Sequence, residues 1–446
     1  MDHPGAMTAL SLRELAMDLR SGTVTPVQHV EQVLSSLDRA GNLVSARADE
    51  AALAQARTAT AEISSGAWRG PLHGVAIAVK DNIDVAGLPT RCGSAVLADA
   101  PAAAVDAEVV ARLRAAGAIV VAKSHCHEFA FGSTGDVNVN GPAANPHDTT
   151  RITGGSSSGP AALVALGAVA LAVGTDTGCS VRTPAALCGV VGLKPTLGAV
   201  PTDGTFPLST TLDHVGVLTA DVHGASVAWD VLARGAEGTG GGIQEPGVVG
   251  LRIGLPQGAL WQVLDPAIAA AVDAAAETLR RAGADVVDIE VPDIDELAST
   301  YAAIVGSEAF AVHAATLAER PGAFQPATAA RLTSQSDRSA YEYLSAVNTR
   351  NRLRRSILTT MRKTFGLDAL LLATTPLRAT PLGQRVVDGV DVSAALLRLC
   401  SPFNLLGVPA VSVPAPRVDG LPIGLQVAGI KLEERGVLRV AAAISS

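Results

Sequence analysis

The chain has 446 residues, 48% of them apolar and 17% charged, with a formal net charge of −8. That is ample material for a large core and excludes a disordered chain. The charge is spread out with no basic run, which argues against nucleic acid or an anionic membrane as the main partner.

The N-terminus, MDHPGAMTALSLREL, carries acids and no apolar h-region, so no signal peptide is expected. Residues 8–40 read as two amphipathic helices. Ser11 with Glu14, and Thr25-Pro26 with Gln28, fit capping-box starts. Short apolar runs at 74–80 and 118–122 suit buried strands, with a helix over 105–116 between them. A strand–helix unit is predicted from Gly154 to Gly174, with Pro160 in the first turn of its helix and Ser158 or Gly159 as cap. The apolar stretch 161–173 is too short, and too rich in Ala and Gly, to span a bilayer.

Residues 237–247, EGTGGGIQEPG, form the clearest loop; their GTGGG opens no helix after a strand and is not read as a phosphate cradle. Strand 250–255, helix 266–282 and strand 284–290 follow, then a mostly helical, substrate-facing region over 293–366. Strands return at 368–373, 409–413 and 422–428. Alternating strands and helices predict an α/β fold with a central mixed β-sheet covered by α-helices. Sheet on both sides of the loop favours one domain over 1–446, with N-terminal helices at 8–40, a core at 70–220, a variable part at 230–366 and closing strands at 368–431.

Five scattered cysteines (Cys92, Cys126, Cys179, Cys188, Cys400) form no C-x-x-C pair and fit a cytoplasmic setting. Only five lysines stand against 29 arginines. A lysine kept in such a chain is a candidate for chemistry that needs a removable proton, which arginine does not offer. Lys80, at the end of the apolar run 74–79, is the clearest case, with a solvated strand end as the plain alternative. His125-Cys126-His127-Glu128 lacks a further ligand at metal spacing and reads as ordinary residues after a strand. Aromatics, at 3%, do not indicate an aromatic-lined pocket.

Residues 154–196 hold two serine-bearing, glycine-rich turns, around Ser156 and Ser180. Glycine-rich turns can leave backbone N–H groups free to face a substrate oxygen, and a serine beside them suits acyl transfer. Gly155-Ser156-Ser157-Ser158-Gly159 matches the G-x-S-x-G elbow, but that elbow follows a hydrophobic strand and this one follows the polar NPHDTTRIT. No S-x-x-K is present.

The block 154–196, the stretch GPLHGVAIAVKDNIDVAGLPT at 70–90, and NLLGVPAVSVPAP with GLPIGLQVAG at 404–429 together resemble the amidase signature family of serine hydrolases. The resemblance implies Ser180 as nucleophile, Ser156 as a bridging serine on a cis peptide bond, and Lys80 as general base. It also implies an oxyanion hole from the N–H groups of Thr177, Gly178, Cys179 and Ser180. Asp176 and Arg182 match positions that look structural, and Ser157 and Ser158 read as turn and cap residues. Most relatives carry glycine where Cys179 sits, so its side chain either narrows the pocket or fills a gap in the protein. Pro160 replaces a usual serine or glycine and reads as harmless helix initiation. The implied activity is cleavage of a small-molecule amide, with esters and carbamates also chemically suitable, without cofactor or metal. A homodimer is a common state among relatives. The rival readings are the glutaminase subunit of a tRNA-dependent amidotransferase and a non-catalytic binding module on the same fold.

Overall fold

Among the described residues, eleven strands join in one mixed sheet: β1 (Val44–Arg47), β2 (Ala76–Lys80), β3 (Ile119–Ser124), β4 (Leu171–Thr175), β5 (Val191–Lys194), β6 (Val215–Thr219), β7 (Arg252–Gln257), β8 (Asp285–Glu290), β9 (Ala369–Ala373), β10 (Ala410–Val418) and β11 (Leu421–Gly429). Their order is β1-β3-β2-β4-β6-β5-β10-β11-β9-β7-β8. The computed structural model describes residues 10–233 and 247–445, so the loop expected at 237–247, with its GTGGG, lies outside the described residues except for Gly247. The expected α/β architecture is borne out.

Seven of these strands fall where the apolar runs predict them. The other four, β1, β4, β5 and β6, have no counterpart in the sequence reading, because runs of four or five residues carry too little periodicity to separate strand from buried helix. The unit at 154–174 is helix then strand: the chain forms the helix Ser158–Ala165 and then β4. The polar stretch before the serine turn does contain a strand, Asp148–Ile152, but it pairs with Ala144–Asn145 in a separate ribbon outside the main sheet and bridges to Pro381.

The N-terminal helices are Leu12–Ser21 and Pro26–Leu37. Thr25 and Gln28 form the expected capping box, with Gln28 N donating to Thr25 Oγ1 at 3.2 Å and Thr25 N to Gln28 Oε1 at 2.9 Å. Ser11 does not cap with its side chain. Its hydroxyl donates instead to Asp221 Oδ2 at 3.1 Å, so a tertiary partner outcompetes the local one.

Alternation along β2 divides the interior. Ile77 and Val79 enter a core shared with the helices Leu12–Ser21, Glu108–Ala115 and Val222–Leu232. Ala76 and Ala78 enter another, beneath the helices Pro26–Leu37, Asp49–Ser64 and Ser158–Ala165. By the same period Lys80 faces the side of the serine helix. A third core lies under the long helices of the 293–366 region. Among them, Ile294–Glu319 is long and apolar enough by composition to cross a membrane. Its inner face packs on the helices Ala340–Thr359 and Ser401–Leu406 and buries Glu308 and His313.

Candidate active site

β2 runs parallel to β4, so Lys80 and Thr175, the last residues of the two strands, end side by side at the carboxyl edge of the sheet. Ligand sites in α/β sheets gather at that edge. Lys80 is fully buried, and its Nζ lies 2.7 Å from Ser156 Oγ and 2.7 Å from Thr175 Oγ1. Asn82 Nδ2 also donates to Thr175 Oγ1, at 3.1 Å. Burial pushes the Lys80 ammonium down to about 8, against the opposing pull of Cys126, Asp176 and Asp213. Lys123 and Lys194 are fully buried as well. Lys194 is spent on two carbonyls, Pro195 and Val408, both at 2.7 Å.

The Gly155–Ser156 peptide bond is cis. Ser157 ties this turn to its surroundings: its N–H donates to the Ser180 carbonyl at 3.1 Å and its hydroxyl to the Thr175 carbonyl at 3.1 Å. The helix starts at Ser158 with Ser157 at the cap position, and the Ser157 side chain makes no capping bond. Pro160 stands in the first turn, where a missing N–H costs no hydrogen bond. The Ser158 hydroxyl meets His125 Nδ1 at 3.0 Å, and His125 Nε2 meets the Gly141 carbonyl at 3.0 Å. His127 Nδ1 accepts from Gly135 N at 3.2 Å. Both imidazoles are lowered by burial, to about 4 and about 3, and serve as neutral struts of the serine turn.

Ser180 is 6% exposed and its hydroxyl makes no hydrogen bond among the described residues, whereas Ser156 and Lys80 are at 0%. The backbone N–H groups of Thr177, Gly178, Cys179 and Ser180 likewise donate no hydrogen bond among the described residues. Four consecutive free donors beside an open hydroxyl are rare in a protein interior, where backbone groups are almost always paired.

This loop is held open from behind. Arg182 and Asp176 are both fully buried and pair at 2.9 Å, and Asp176 Oδ2 also accepts from Val181 N at 3.1 Å. Arg182 donates further to the carbonyls of Gly178 and Cys400, to Gln426 Oε1 and to Asn404 Oδ1. Burial alone raises a carboxyl, but the guanidinium outweighs it here and holds Asp176 below the ordinary range. At the other end the Thr177 hydroxyl donates to Asp213 Oδ1 at 2.6 Å. The Cys179 thiol is buried and turned toward the Gly155 carbonyl, 3.8 Å away. Its side chain fills a gap in the protein.

The wall in front of the loop comes from Tyr301, in the variable region, and Leu397, beyond it, and no sequence motif marks either. A Cβ built on Gly178 would stand 2.1 Å from Tyr301 Oη and 2.9 Å from Leu397 Cδ2. Both residues line a cleft of about 660 Å³, which also holds Phe131, so two aromatic rings line this cleft despite the low aromatic content. Thr175, Asn82, Asp213 and Tyr301 were all missed by the sequence reading; each acts through a partner distant in the chain.

The Amidase family profile matches residues 29–438. The glutamyl-tRNA(Gln) amidotransferase A subunit of Symbiobacterium thermophilum is 35% identical, covering 97% of this chain and 95% of that protein. A crystallised amidase superposes with a TM-score of 0.89 at 36% identity, covering 97% of this chain and 99% of the other. A chain from a vestigial protein complex bearing on the evolutionary origins of an s-triazine catabolic enzyme gives 0.91 at 33%, covering 98% of each. With the paired lysine and serine, the open loop and these likenesses together, the chain belongs to the Amidase family.

Proposed function

We propose that the protein is a serine amidohydrolase that cleaves a small-molecule amide through an acyl-enzyme on Ser180. The observation that carries this reading is the Lys80–Ser156 contact of 2.7 Å placed beside the free N–H groups of 177–180. With Lys80 neutral, its two N–H bonds point elsewhere, Thr175 Oγ1 being one acceptor, and its lone pair takes the Ser156 proton. Ser156 takes the Ser180 proton, and Ser180 Oγ bonds to the amide carbon. The carbonyl oxygen gains the negative charge and is held by the N–H groups of Thr177, Gly178, Cys179 and Ser180. Loss of one such donor typically costs about 3–4 kcal/mol. As the tetrahedral adduct collapses, the C–N bond breaks and the proton returns through Ser156 to the leaving nitrogen. Water then attacks the ester, giving its proton to the same relay, and as the C–O bond breaks the relay returns that proton to Ser180 Oγ and the acid departs. Esters and carbamates fit the same sequence of steps.

A second reading, the glutaminase subunit of an amidotransferase, has the support of the curated relative at 35% identity. Steady-state hydrolysis of simple amides by the purified chain, measured as ammonia release, tests between them. Turnover by this chain alone supports the stand-alone amidase. Activity confined to glutamine and to a reconstituted complex favours the second.

A further inference from the structure

The cleft over Gly178 is walled mainly by apolar side chains, yet Arg331, Arg338 and Arg398 all line it. The chain carries 42 acids against 34 basic residues, so partners are not scarce. Even so, none of the three arginines forms a salt bridge among the described residues, whereas Arg47, Arg151, Arg378 and others do.

Their hydrogen-bond and ring partners are neutral, although Arg338 also lies near the Glu342 carboxylate. The Arg331 guanidinium carbon lies 4.4 Å from the centre of the Phe131 ring, and Nη1 donates to the Phe131 carbonyl at 3.2 Å. Arg338 Nη2 donates to Gln335 Oε1 at 2.9 Å, and Arg398 Nη2 to the Gln262 carbonyl. The Nε atoms of Arg338 and Arg398 are buried without a partner. The nearby acids are already engaged: Asp391, which lines the cleft, caps a helix through Ala394 N at 2.8 Å, and Glu342 accepts from Ser339 N at 2.7 Å. Burial keeps the Tyr301 phenol protonated, with Arg331 opposing it only in part, and the Tyr301 hydroxyl stands over Gly178. Unpaired positive charge therefore lines a cleft that adjoins the open loop through Tyr301 and Leu397.

A half-buried guanidinium gives up hydration, and a planar carboxylate replaces it with two parallel N–H···O bonds. Building on the amide-hydrolase reading, we infer that the cleft selects anionic substrates: amides that carry a carboxylate remote from the scissile bond, gripped chiefly by Arg331. The apolar wall takes the carbon chain between the two ends.

The test compares two amides of equal chain length, glutaramic acid (glutaric acid monoamide) and pentanamide, which differ in the terminal carboxylate. We expect kcat/KM to favour glutaramic acid by about tenfold or more, the typical gain from charge-assisted hydrogen bonds. In Arg331→Gln that ratio falls toward one, and in Arg331→Lys, which keeps the charge and loses the fork, it is intermediate. Glutarate inhibits the wild type competitively, and less so at high salt. If Arg331→Gln does not fold, Arg398→Gln and the glutarate inhibition of the wild type supply the same comparison. A wild-type ratio near one, or an equal change for both amides in the variants, overturns the inference and leaves the hydrolase standing. If neither amide is cleaved and a fluorophosphonate leaves Ser180 unlabelled, the hydrolase reading falls and this inference with it.

Discussion

Lys80 and Thr175 end adjacent parallel strands, and the Nζ of one lies 2.7 Å from Oγ1 of the other. Thr175 Oγ1 accepts from both Lys80 and Asn82, so an N–H of the lysine is directed there and its lone pair is left for Ser156. We expect Thr175→Val to lower kcat by about tenfold or more while KM changes little, as for a positioned acid–base partner. A kcat equal to wild type at every pH would remove Thr175 from the relay.

Lys80 governs the pH dependence. Its folded-state value of about 8 lies below the ordinary 10.5, so the neutral, proton-accepting form appears as pH rises through about 8. Accordingly kcat/KM should climb from pH 6 to about 8 and level off above it. Lys80→Arg should be as inactive as Lys80→Ala, since arginine keeps its proton. A profile that is flat or falls across this range contradicts the base assignment, as does an active arginine variant.

Ser180→Ala should retain the fold and lose turnover by about a thousandfold or more. Peptide mapping after sulfonyl fluoride treatment should find the adduct on Ser180 in the wild type. An adduct on Ser157, whose hydroxyl is buried against the Thr175 carbonyl, would require a different nucleophile.

Asp176 and Arg182 predict the opposite behaviour. Removing one member of a fully buried pair leaves the other charge unpaired, which typically costs about 3–5 kcal/mol. Asp176→Ala should therefore lose activity and stability together, visible as a lower urea midpoint. An unchanged midpoint would show that the pair does not carry the loop.

Gly178→Ala tests the front wall. The added methyl would meet Tyr301 Oη and Leu397, so the loop must shift and activity should drop by about a hundredfold. Adding Tyr301→Ala should recover part of that loss, a coupling expected only between residues in contact. Strictly additive losses would separate the two residues.

Cys179→Gly should change kcat/KM by the same small factor across a panel of amides, because its thiol faces the Gly155 carbonyl and not the cleft. Altered preference among the amides would restore Cys179 as a determinant of specificity.

The amino-acid sequence alone determined the α/β class and most strands of the sheet, and it singled out the three side chains Lys80, Ser156 and Ser180 as candidates. Those features are written locally, in apolar runs with a clear period and in long glycine- and serine-rich turns whose chemistry is legible residue by residue. Tertiary structure alone decided what those side chains face. Thr175 became a partner of Lys80 because β2 and β4 lie in parallel register, which no pattern within either strand specifies. Ser11 left its own helix for Asp221, 210 residues away. Cys179 was equally compatible with lining the cleft or filling a gap until the loop's backbone set its direction. Tyr301, Arg331 and Arg398 lie in helices and Arg338 in a connection between two, and their place at the cleft depends on how those helices pack. Contacts between residues hundreds of positions apart depend on packing and register, and local propensity does not encode either.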